Sequence, residues 1–236
     1  MNITVVFDNY VIDNRLTPGW GFSCLVELPG KNVLFDTGGD GPILLDNMSR
    51  LQIDPQKIDA VVLSHIHNDH TGGLAVFLEH NKTATVYLLR SFPDSFKDEV
   101  KSSGAKVEEV YEAKELLPGV YTTGELDKGI KEQSLVVKSG EGLVIITGCA
   151  HPGVVEIIQK AKAMLPGEKV YLVTGGFHLR DLSRGNNMSV IDAFRRLGVA
   201  KAAPSHCSGD ETRRLFKEQY GDSYINSGAG KIITLS

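Results

Sequence analysis

The sequence predicts a layered α/β domain spanning residues 1–236 as one unit. Three observations carry that prediction. Apolar runs of strand length crowd the first half of the chain, strand and helix patterns alternate in the second half, and no linker composition separates them. No fixed-period repeat and no low-complexity stretch interrupts this pattern.

Ile3–Phe7 is the first apolar run. Phe22–Leu28 and Asn32–Asp36 flank Pro29-Gly30, which predicts a hairpin. Ile43, Leu44, Met48 and Leu51 recur at helical spacing. Ala60–Leu63 is a short buried strand, and Thr71-Gly72-Gly73 marks the start of a helix. Thr85–Leu89 and Val107–Val110 are further strands. Residues 91–133 carry charges, prolines and glycines without clean periodicity, and fit a lid, a pocket wall or a surface excursion. Ser134–Val137 and Leu143–Thr147 flank a turn at Gly140-Glu141-Gly142. Val154, Val155, Ile157, Ile158, Ala161, Met164 and Leu165 form a helical stripe, followed by the strand Val170–Val173. Val190, Ile191, Phe194 and Leu197 form a second stripe. A short strand over 200–204, a helix over 211–219 and a strand at Ile232–Leu235 close the chain.

The 25 basic and 29 acidic residues leave a net charge of −4, with no basic excess that would point to nucleic acid. The three cysteines, Cys24, Cys149 and Cys207, are odd in number and far apart, which suits reduced thiols better than a disulfide framework. No signal-peptide pattern and no stretch near the roughly 20 apolar residues of a membrane span is present. The expectation is a cytoplasmic protein with a small-molecule substrate, no nucleic-acid partner and no membrane partner; the sequence does not specify an oligomeric state.

The most informative segment is Ser64-His65-Ile66-His67-Asn68-Asp69-His70. Imidazole and carboxylate bind borderline divalent metals, and His65, His67, Asp69 and His70 can face two adjacent metal positions. Three more histidines follow apolar strands and sit beside glycine: His151 in Gly148-Cys149-Ala150-His151, His178 in Gly175-Gly176-Phe177-His178, and His206 in Ser205-His206-Cys207-Ser208-Gly209. In open α/β architectures ligands collect at the carboxyl ends of strands. Asp36, at a strand end before Thr37-Gly38, suits a role in holding the histidine loop by hydrogen bonds. Cys149 and Cys207 could ligate as thiolates or pack as small buried hydrophobes. His80 belongs at the surface, Trp20 in a pocket wall or the core, and Ser227-Gly228-Ala229-Gly230-Lys231 in a turn before the last strand.

Asp36-Thr37-Gly38, the H-x-H-x-D-H run at 65–70 and the later strand-end histidines resemble the metallo-β-lactamase superfamily over nearly the whole chain. G-C-x-H at 148–151, G-G-x-H-L at 175–179 and H-C-x-G at 206–209 are similar to one branch, the 7,8-dihydropterin-6-methyl-4-(β-D-ribofuranosyl)aminobenzene 5′-phosphate synthase-like proteins. The resemblance implies an αβ/βα four-layer sandwich, two mixed β-sheets flanked by helices. It also implies a site for one or two Zn²⁺ ions, with Fe or Mn as the alternatives. Most members have a histidine before the strand matching Leu143–Thr147 and a bridging aspartate in a Gly-Asp pair. Here the region just before Ser134 offers no histidine, and Cys149 follows Gly148. The expected ligands are His65, His67 and His151 for one ion and Asp69, His70 and His206 for the other, with Cys149, His178 or only a water-derived hydroxide at the bridge.

The implied activity is metal-dependent hydrolysis by a metal-bound hydroxide, on a phosphoester or a phosphate-bearing pterin-like small molecule. Asp69 would orient the attacking water, and His178 would contact the leaving group or a phosphate oxygen. The alternatives are an ester, thioester or lactone hydrolase, a di-iron redox centre, and a metal-dependent ligand sensor without turnover.

Overall fold

Strand β1 (Asn2–Asp8) is buried from Ile3 onward, which requires neighbours on both edges and cover on both faces. The computed structural model describes residues 1–236 throughout. After β1 come β2 (Phe22–Leu28) and β3 (Lys31–Phe35), joined by the expected two-residue Pro29-Gly30 turn, with Gly30 at φ +74°. Helix α1 (Gly41–Arg50) starts at Asp40, whose carboxylate accepts from the Ile43 N–H at 2.9 Å. Strand β4 (Ala60–Val62), the short helix α2 (Asn68–Thr71) and helix α3 (Leu74–His80) follow. Next come β5 (Thr85–Leu89), α4 (Asp94–Ser102) and β6 (Lys106–Val110).

The chain continues through the short strands β7 (Lys114–Leu117), β8 (Val120–Thr122), β9 (Leu126–Lys128) and β10 (Ile130–Glu132). Strands β11 (Leu135–Ser139) and β12 (Gly142–Thr147) lead to α5 (Val154–Met164), β13 (Val170–Gly176), α6 (Arg184–Arg196), β14 (Lys201–Ser205) and α7 (Asp210–Tyr220). Strand β15 (Ile232–Thr234) is the last.

Two compact units result. The first comprises Met1–Tyr111 with Gly228–Leu235, and the second Glu112–Ser227 with Ser236. The first holds a seven-stranded sheet in the order β15-β1-β2-β3-β4-β5-β6, antiparallel from β15 to β3 and parallel from β3 to β6. Helices α1, α3 and α4 make its parallel crossovers. The second holds a six-stranded sheet, β14-β13-β12-β11-β8-β7, parallel at the β14 end and antiparallel from β12 onward. A separate pair, β9 and β10, lies beside it in sequence.

The core of the second unit shows how sequence pattern becomes position. Val154, Ile157, Ile158 and Ala161 recur on one face of α5 and are buried. Phe177, Phe194 and Phe216 pack as a triangle with ring centroids 5.2, 5.4 and 5.6 Å apart. Each buried ring contributes about 1.5–3 kcal/mol through apolar burial, and each ring pair about 0.5–1.5 kcal/mol more. Phe177 is therefore an anchor, and it fixes the backbone that carries His178. No helix is long and apolar enough to cross a membrane.

Candidate metal centre

In the first unit the histidine segment follows β4, and α2 begins within it, so His70 sits on a helical turn rather than on an extended loop. Gly73 allows the neighbouring Thr37 segment to press against this turn. A Cβ at Gly73 would lie 2.1 Å from the Thr37 carbonyl oxygen, closer than any side chain tolerates. Thr37 in turn donates to the His70 carbonyl through its N–H at 2.8 Å and its hydroxyl at 3.0 Å.

Asp36 is the fixed point. It is fully buried, at φ +56°, and its carboxylate accepts three hydrogen bonds. These come from the Ser64 N–H at 2.6 Å, the Ser64 hydroxyl at 2.7 Å and His70 Nδ1 at 2.7 Å. A carboxylate only accepts, so the single Ser64 proton is directed to Asp36. The Ser64 oxygen must then accept from His65 Nδ1, 2.9 Å away. Both rings are thereby set as Nδ1–H tautomers, which leaves the lone pairs of His65 and His70 on Nε2.

Those lone pairs meet further donors. His65 Nε2 lies 3.0 Å from His67 Nδ1, and His70 Nε2 lies 3.6 Å from the Asp69 carboxylate. Two nitrogens about 2.1 Å from one tetrahedral ion stand about 3.4 Å apart, so the His65–His67 separation is close to a two-ligand bite. The ring centroids of His65 and His70 are 4.3 Å apart. The first unit thus places its four expected ligands as two donor pairs, His65 with His67 and Asp69 with His70, whose nitrogen and oxygen atoms suit a borderline divalent ion.

In the second unit the loops after β12, β13 and β14 carry His151, His178 and His206. Glu132, fully buried at the end of β10, organises the first of them. Its carboxylate accepts from the Cys149 N–H at 2.9 Å, the Ala150 N–H at 2.8 Å and the His151 N–H at 2.8 Å. Three consecutive amides on one anion hold Ala150 at φ +64°. The loop after β14 is braced by the largely buried Arg213, which donates to the Pro204 carbonyl at 3.1 Å and the Ser227 carbonyl at 2.9 Å. His178 and His206 also have positive φ, +53° and +48°. Four of the five non-glycine residues with positive φ are therefore Asp36, Ala150, His178 and His206, the backbone that positions these side chains.

A family model described as the metallo-beta-lactamase superfamily matches residues 16–206. The chain belongs to that superfamily. It is 30% identical, over 92% of its length and 91% of the relative's, to the 7,8-dihydropterin-6-methyl-4-(beta-D-ribofuranosyl)-aminobenzene-5′-phosphate synthase of Methanocaldococcus jannaschii. A second, uncharacterized protein of that organism is 27% identical over 90% of this chain and 92% of its own. A crystal structure described as a metal-dependent hydrolase of the β-lactamase superfamily superposes with a TM-score of 0.84 at 29% identity. That match covers 100% of this chain and 99% of the other. The two mixed sheets with their helices are thus the α/β fold of the metallo-β-lactamase superfamily, as expected.

Several further expectations are met. Asp36 holds the histidine loop, His80 is exposed, and the three cysteines are reduced and buried. Trp20 is 49% exposed and so is not a core residue. Among the basic residues, Lys131 pairs with Glu125 at 2.7 Å and Arg184 with Glu211 at 3.0 Å. Arg180 lies 3.4 Å from Asp181, and Arg90 lies over the Tyr111 ring.

Sequence reasoning missed Glu132, Ser64 and the surroundings of the second-unit cysteines. Cys149 Sγ lies 3.4 Å from His206 Nε2, and the Cys207 thiol is directed to the Cys149 carbonyl at 3.5 Å. Burial pushes the Cys207 thiol up, but hydrogen bonds with Cys149 and His178 and the charge of His206 outweigh it and hold the thiol well below its ordinary range. His178 is raised in turn, chiefly by its hydrogen bond with Cys207. Cys24 behaves oppositely, since burial and the Asp36 charge keep it a thiol.

Two concavities adjoin these residues. The larger, about 640 Å³ in the first unit, is lined by Ile66, Leu74, Leu78, Phe96 and Val100 and reaches no ligand imidazole. The other, about 480 Å³ in the second unit, is lined by His151, Val155, Gln159, His178, Leu182 and Val190. The second combines small-molecule size with two imidazoles in an apolar wall.

Proposed function

We propose that the protein is a metal-dependent hydrolase acting on a phosphoester bond of a small molecule, with a phosphate-bearing pterin-like compound as the substrate class. The observation that carries this reading is the Asp36–Ser64 network, which aims the lone pairs of two buried imidazoles by proton count alone. A metal-ligating histidine almost always donates its other ring N–H to a partner of this kind, which supports the reading. The synthase name of the M. jannaschii relative supports the substrate class and is consistent with phosphate-linked chemistry.

In this reading His65, His67, Asp69 and His70 of the first unit hold one or two divalent ions, and His151 and His206 are the metal-binding histidines of the second. Zinc is the first choice, with iron or manganese the alternatives. When bound, such an ion acidifies water to a pKa of about 7 and neutralises charge on phosphate oxygens. The protein's own groups do the rest. Asp36 keeps the His70 ring oriented and basic. Asp69, partly exposed beside His70 Nε2, orients the attacking water and takes up its proton. The apolar wall of Val155, Leu182 and Val190 accepts a flat ring system and limits water around it.

The test is turnover of a chromogenic phosphodiester by protein loaded with Zn²⁺ or Mn²⁺, compared with ester, thioester and lactone panels. Hydrolysis confined to the phosphoester, abolished together with at least one metal equivalent in His67→Ala, is the expected result. Preferential turnover of the carbonyl panels, or no turnover of any of them, overturns the reading.

A further inference from the structure

Outside the six expected ligands, the second unit contains another set of metal-binding groups. Cys149 Sγ, a His178 ring nitrogen and Cys207 Sγ lie within 4.8 Å of one another. Both sulfurs are buried, at 4% and 7% exposure, while His178 is exposed. Cys149 Sγ also lies within 4.8 Å of donor atoms of His151 and of His206, whereas His178 and Cys207 belong to this set alone. We propose that Cys149, His178 and Cys207 form a further site, adjoining the histidines through Cys149, for a thiophilic divalent cation of the zinc class.

The geometry supports this. Around one tetrahedral ion, with metal–sulfur bonds of about 2.3 Å and a metal–nitrogen bond of about 2.0 Å, donors stand about 3.5–3.8 Å apart. The three donors, all within 4.8 Å of one another, are on that scale. The backbone is built around the sulfurs: a Cβ at Gly176 would lie 2.7 Å from Cys207 Sγ and 3.2 Å from the Cys149 Cα. Glu132 fixes the Cys149 backbone, and the Phe177 anchor fixes that of His178. Three protein donors leave one position open on the side of the exposed His178.

Donor chemistry sets the class of cation. Two thiolates with an imidazole select zinc or similarly soft ions over magnesium, calcium and manganese. Binding takes both sulfurs as thiolates, releasing whatever protons they carry, and leaves the oxidation states unchanged. Cys149 Sγ is also the neighbour of His206 Nε2, so the sulfur site adjoins the histidine set at that residue. His178 then serves as a ligand here, rather than as the leaving-group contact expected from sequence.

The experiment is a Co²⁺ titration of the full-length protein, stripped with chelator and kept reduced under nitrogen. The expected result is a near-ultraviolet sulfur-to-cobalt charge-transfer band. Cys207→Ser should lower that band at least twofold and remove one bound equivalent. His178→Gln should weaken binding at this position by about tenfold or more. Absence of the band from the wild type, or a band of full intensity in Cys207→Ser, overturns the proposal. Should circular dichroism show that Cys207→Ser has not folded, the exposed His178 decides, and unchanged Co²⁺ affinity in His178→Gln overturns it. The proposal is separable from the hydrolase reading. His67→Ala should retain the sulfur band, and a wild type that shows the band but turns over no phosphodiester would refute only the hydrolase.

Discussion

Asp36→Asn tests the proton-counting argument most directly. The amide keeps one oxygen for the Ser64 N–H but presents two N–H bonds where the carboxylate accepted. One faces the Ser64 hydroxyl and the other His70 Nδ1, both 2.7 Å from Oδ2 in the native protein. His70 must accept there, so its proton moves to Nε2. Ser64 now accepts from the amide and turns its own proton to His65 Nδ1, which moves the His65 proton to Nε2 as well. One nearly isosteric change therefore inverts both rings and protonates both ligand atoms. Because the rearranged network keeps its partners, the expected loss of fold stability is modest, about 1–2 kcal/mol. The expected loss of metal affinity is about 10–100-fold, or about 1.4–2.8 kcal/mol. Long-range ¹H–¹⁵N spectra of labelled metal-free protein read the tautomers, and chelator competition reads the affinity. The reasoning is refuted if wild-type His65 and His70 carry their protons on Nε2, or if Asp36→Asn binds metal as the wild type does.

Other expectations follow from the same structure. Glu132→Gln turns one of two accepting oxygens into a donor facing the amides of 149–151, and should lower stability by about 1–3 kcal/mol in denaturant titrations. Faster hydrogen exchange should be confined to that loop. Gly73→Ala drives a methyl group against the Thr37 carbonyl and should cost about 3 kcal/mol or more, whereas Gly104→Ala, with φ +94° but nothing within 4 Å, should cost about 1–2 kcal/mol. In metal-free protein the His178 resonance should titrate above its ordinary 6.5, and Cys207→Ser should move it down. Since the folded value is the raised one, the stability His178 contributes is fully present below about 6.5 and disappears as pH rises through the folded value.

Much of this architecture could be read before the structure was known, because it rests on local signals. Pro29-Gly30 marks its hairpin, the α5 stripe its helix, and the apolar runs before each histidine loop their strands. Asp36 was legible too, as a carboxylate at a strand end. Helix α4 was not. Only Phe96 and Val100, one turn apart, give Asp94–Ser102 an apolar face, and Lys97 in that helix is buried to reach the Arg90 carbonyl at 2.7 Å and Glu109 at 3.1 Å. Glu132 escaped for a similar reason. A single acidic residue in a charged stretch looks like any solvated one, and its value comes from three amides 17–19 positions away. The sulfur set brings together residues from three loops, and in sequence each cysteine reads as a lone small hydrophobe.

One oxygen of Asp36 serves both Ser64, which holds His65, and His70 itself. The two rings therefore have no independent electronic life. Drawing charge out of one imidazole stiffens its grip on that oxygen and loosens the other's, so a change of charge at His65 is felt at His70 without any atom travelling between them. A lineage that retunes either ring by ordinary substitution must retune both.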